Sequence, residues 1–91
     1  MTTLAIRQQL EIAVTGVSEE LARIAEGKPS VSTARELEFI KMKLQEMLDG
    51  LLVGKKVETS GLWHFVIDTW PISNTLGRQI VEAELNYQRL K

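Results

Sequence analysis

Thr33-Ala34-Arg35-Glu36-Leu37-Glu38-Phe39-Ile40-Lys41-Met42-Lys43-Leu44-Gln45-Glu46-Met47-Leu48-Asp49-Gly50-Leu51-Leu52 is the stretch that decides the fold. Leu37, Ile40, Leu44, Met47, Leu48 and Leu51 return at steps of three and four, the period of one buried helical stripe. Thr33 followed three residues later by Glu36 is a capping box, so the helix is predicted to start with Thr33 as its N-cap. It runs to Leu51 or Leu52, and Gly50 or Gly54 closes it. At about 100° per residue, Phe39 and Met42 fall on the far side, among Arg35, Glu46 and Asp49. A chain of 91 residues struggles to bury even one core. Either this helix is sandwiched in the middle of a bundle, or Phe39 and Met42 face a partner.

The flanking segments repeat the helical period. In residues 3–26, Ile6, Leu10, Ala13, Val17, Leu21 and Ile24 form a stripe that Thr2 or Thr3 caps, and Gly27 with Pro29 stops it. Near the C-terminus, Ser73 or Asn74 caps a helix whose stripe is Leu76, Ile80, Ala83, Tyr87 and Leu90. Val81 and Leu85 lie off that stripe and give this helix a second apolar edge. Residues 54–61 read as a loop. In residues 62–70, aromatic and β-branched side chains favour a strand, while Trp63, Val66, Ile67 and Trp70 also share one helical face. A lone strand among helices cannot satisfy its backbone, so the reading is a short helix ended by Pro71.

The expected fold is therefore all-α. It is a small antiparallel bundle of three long helices, near 3–26, 33–52 and 74–90, with a short element at 62–70, in a single domain over residues 1–91. Leu10, Val17, Leu21, Leu37, Ile40, Leu44, Met47, Ile80 and Tyr87 are expected to be buried together.

Composition narrows the function. Hydrophobic residues at 44% with 25% charged are ordinary for a globular chain. A net charge of −1, without a basic stripe, argues against nucleic acid as a partner. Absence of cysteine removes disulfides, thiolate nucleophiles and sulfur-ligated metals, and fits a reducing cytoplasm. Apolar runs such as Leu51-Leu52-Val53 are far short of the ~20 residues needed to span a membrane. The start, Met1 to Arg7, lacks the pattern of a signal peptide, so a cytoplasmic location is expected.

No catalytic constellation emerges. His64 is the only histidine, with Asp68 as its nearest helical neighbour, and a packed or surface histidine beside Trp63 outweighs a general base. Gly50 to Lys56 imitates a phosphate loop, but it is one residue short and has Lys56 where a hydroxyl should hold magnesium. The carboxylate pairs Glu19-Glu20 and Glu82/Glu84 read as solvated faces. The chain is expected to be no enzyme and to need no cofactor or metal. What remains is surface: Trp63 and Trp70 fill the lid of the core or form a recognition patch, since tryptophan is enriched at binding hot spots.

Three stretches carry a family likeness. They are Ser32-Thr33-Ala34-Arg35-Glu36-Leu37-Glu38-Phe39-Ile40, then Phe65-Val66-Ile67-Asp68-Thr69-Trp70, then Leu76-Gly77-Arg78-Gln79-Ile80, with Tyr87 near an aromatic of the last helix. In these, over roughly residues 30–88, the chain resembles the small helical immunity proteins of bacterial type VI secretion. The resemblance is to those that neutralise NAD(P)-glycohydrolase and related effector toxins. Pro71-Ile72-Ser73-Asn74 departs from that family's acidic turn, and the first helix matches in pattern alone. The resemblance implies a non-enzyme that binds a toxin domain and covers its active site. The expected contact is Phe39 and Met42, with Trp63 or Trp70 and the carboxylates Glu38, Glu46 and Asp49 around them. An inhibitor of another enzyme and a self-associating homodimeric module are the alternatives.

Overall fold

The computed structural model describes residues 2–57 and 61–90. It is all-helical, with four helices: α1 (Thr3–Ala25), α2 (Ala34–Leu52), α3 (Leu62–Thr69) and α4 (Thr75–Gln88). Three are long and one is short, as the periodicity predicts. The 62–70 segment is helix over Leu62–Thr69 rather than strand, with Trp70 as its extended C-cap, and no strand occurs among the described residues. The expected loop is seen over residues 53–57 and at Gly61; positions 58–60 lie outside the described residues.

Caps follow from side-chain chemistry. The Thr2 hydroxyl accepts from the Ala5 amide at 3.1 Å, so Thr2 rather than Thr3 opens α1. Thr33 accepts from the Glu36 amide while Glu36 accepts from the Thr33 amide, closing the capping box on α2. Asn74, not Ser73, caps α4 by accepting from the Gly77 amide at 2.8 Å.

α1 is the shared partner of the long helices: α2 and α4 both pack on it, and α3 packs on α4. Asn86 donates to Gln9 near one end of α4, while a Cβ at Gly16 would meet Leu76 near the other, so α4 runs antiparallel to α1. The helix sandwiched between others is thus α1. α2 lies at the side of the bundle and keeps one face free.

The core joins all four helices through Leu10, Leu37, Leu44, Val66 and Ile80, with Tyr87 fully enclosed. Every expected core residue is buried except Leu21, which is half-buried. The reason is length: α4 begins beside Gly16, so the last turns of α1 lack that neighbour.

Gly54, with φ +72°, follows the end of α2, whereas Gly50 is a helical residue with a different task. A Cβ at Gly50 would strike the Lys55 carbonyl and stand 2.9 Å from Val57 Cγ2. Its hydrogen lets the chain fold back, where the Tyr87 hydroxyl accepts from the Val57 amide at 2.6 Å. Gly50→Ala is therefore expected to destabilise by about 1–3 kcal/mol through overpacking, despite alanine's better helix propensity. A melting curve checks this: unchanged or raised stability would mean that the return segment is free to move aside.

Candidate interaction surface on α2 and α3

α2 carries its stripe into the core on one side, which leaves Phe39 at 48% exposure and Met42 at 49% on the other. The two stand on neighbouring but distinct grooves. Met42 lines a shallow one beside α1 with Leu21, the carboxylates Glu38, Glu46 and Asp49, and the cation Lys41. Phe39 lines a second with Arg35, Glu36, Leu62 and Phe65, where α3 approaches α2. One turn of helix separates them, so a single partner laid across α2 would meet both.

The charges around these anchors are mixed. Lys43 lies 5.6 Å from the centre of the Phe39 ring and pairs with Glu46 at 3.6 Å, so the Glu46 charge is balanced locally. Asp49 accepts from Gln45 Nε2 at 2.9 Å, a neutral partner that leaves its charge in place. Glu38 has no ion pair among the described residues. Glu38 and Asp49 are consequently the carboxylates that a positively charged partner would engage.

The two tryptophans separate. Trp63 is half-buried and stacks against His64, ring centroids 3.8 Å apart, and it lines neither groove. Trp70 is a correction to the sequence reading: at 5% exposure it belongs to the core and cannot serve as a surface anchor beside Phe39. It is held there because Gly77 has no Cβ; one would stand 3.1 Å from Trp70 Cε3 and from Val66 Cγ1. Phe65 takes the place expected of a tryptophan. The sequence reading misses it because, at about 100° per residue, it points nearly opposite the helical face of Trp63, Val66, Ile67 and Trp70.

Two other candidates for chemistry have structural partners. Lys56 donates to the backbone carbonyls of Gln88 and Leu90, capping the end of α4, so the loop-like run before it holds the fold. Glu84, read as solvated, is completely buried. Its two oxygens accept from the amides of Leu62 at 3.0 Å and Trp63 at 2.7 Å, the unsatisfied donors at the start of α3. Gly61, the N-cap residue, offers them no side chain, so Glu84 does that work from another helix. The missed signal was angular: Glu84 stands four residues after Ile80 and seven after Gly77, inside the buried stripe.

His64 is exposed, and no hydrogen bond or ion pair joins it to Asp68 among the described residues. No group of three or more His, Asp or Glu side chains among those residues is placed to hold a metal ion. Nor is any described helix long and apolar enough to cross a membrane.

These features define a small helical bundle with one half-apolar, half-charged helix face. Comparison with known proteins adds no relative: no family model matches the chain, nor does any curated protein or solved structure.

Proposed function

We propose that the chain is an immunity protein that binds a bacterial effector toxin domain through the outward face of α2 and blocks its active site. The observation that carries this reading is the exposure of Phe39 and Met42, side by side, on a helix whose core stripe is already satisfied. Apolar anchors of this kind supply the desolvated centre of an interface, and a polar rim orients the encounter. A toxin that binds a dinucleotide needs a positive cleft for the phosphates. Glu38 and Asp49 offer the complementary sign. The resemblance to type VI immunity proteins names the same partner class, and the reading carries with it a bacterial cytoplasmic setting. The protein acts by occupancy, without catalysis or cofactor.

Met42→Asp tests this by placing a charge in the middle of the contact. Met42 is half-exposed, so melting should stay close to wild type, as for most surface changes. Affinity for its cognate toxin domain should fall by roughly 30-fold or more, the scale of a lost hot spot. That toxin's NAD(P) hydrolysis should then recover in the presence of the variant. Unchanged affinity would put the contact elsewhere, and no inhibition by wild type would end the immunity reading.

A further inference from the structure

We propose that the groove between α3 and α4 pairs with the same groove of a second copy of this chain, giving a two-fold homodimer. α3 contributes to both faces, but this groove shares no lining residue with the one beside Phe39, so the two contacts can be tested separately. The groove has a volume of about 270 Å³ and is lined by Val66, Ile67, Trp70 and Val81, with Arg78 and Glu82 at its lip. Ile67 is 58% exposed, and Leu85 stands half-buried one turn beyond Val81. Val81, off the core stripe of α4, thus shares a side with the exposed edge of α3.

Charge selects the occupant. Arg78 and Glu82 are exposed, one turn apart, and neither has a hydrogen bond or ion pair among the described residues. Arginine preceding glutamate is the weaker order for pairing within a helix. A two-fold axis crossing α4 between them sets the two α4 helices antiparallel, with Arg78 of each copy opposite Glu82 of the other. Both charges are matched at once, as an isologous interface requires. α3 runs antiparallel to α4, Leu62 beside Glu84 and Trp70 beside Gly77, so Ile67 stands near the level of that axis. Ile67 and Val81 then meet their own counterparts and form its apolar centre. A ligand of a single sign would leave one of the two charges opposed.

The test is sedimentation velocity on the full chain from micromolar to near-millimolar concentration. A monomer–dimer equilibrium is expected. Arg78→Glu should weaken it about tenfold or more, and Arg78→Glu combined with Glu82→Arg should restore it. Ile67→Asp should leave a monomer, and the Trp70 indole N–H resonance should shift with concentration in wild type but not in that variant. A chain that stays monomeric throughout overturns the proposal. So does a dimer indifferent to these changes, or one that the double reversal fails to restore.

Discussion

Leu44→Ala should lower stability by roughly 2–5 kcal/mol, the usual result of truncating an enclosed leucine and leaving a cavity. Leu44 has no exposed surface and lies in the one core that all four helices share. The consequence is large because the chain is short. For 91 residues the whole stability is expected to be roughly 5–14 kcal/mol. At about 4–8 °C per kcal/mol for a domain of this size, the melting temperature should drop by about 8 °C or more. Chemical denaturation should show the same loss as a lower midpoint with an unchanged slope. A variant that melts like wild type would mean that the Leu44 stripe does not face the core.

Glu84→Ala is expected to cost about 3 kcal/mol, for a different reason. The mutation removes an acceptor while its two donors, the amides of Leu62 and Trp63, stay at the start of α3. Hydrogen bonds to a charged group contribute about 1.5–3 kcal/mol each, and water entering the vacated space recovers part of that. Loss should concentrate in α3, which packs chiefly on α4 and has no side-chain cap of its own. Amide exchange is the discriminating measurement: residues 62–70 should lose protection well before α1 and α2. Glu84→Gln keeps one carbonyl acceptor and should fall between alanine and wild type. Equal protection across the four helices in Glu84→Ala would show that α3 is held by its apolar side chains alone.

Much of this was legible from residue spacing. Three stripes of period 3.6 located the long helices, Thr33 marked the start of α2, and the other two caps were narrowed to neighbouring pairs, because helix periodicity and capping are local physics. That Phe39 and Met42 lie opposite the core stripe was legible too. Whether another helix covers that side stays open in the sequence, and is decided by α1 being the sandwiched helix. Spacing misplaces Glu84 and Leu21, and leaves Trp70 between core lid and recognition patch, because their surroundings come from other segments. Trp70 is buried by the missing side chain of Gly77, and Leu21 is half-uncovered because α4 is shorter than α1. No local pattern contains either fact.

The chain on its own determined an all-helical bundle, its helix boundaries within a residue or two, and that Phe39 and Met42 lie opposite the core stripe of α2. Packing decided which long helix is central, where α3 lies, and that a carboxylate belongs inside. The distinction is physical. A helix is made by hydrogen bonds four residues apart and a stripe that repeats every turn, so neighbours in sequence suffice. Glu84 meets Leu62 across a separation of 22 residues. Whether its charge is solvated or bound depends on the α3 amides that folding brings to it.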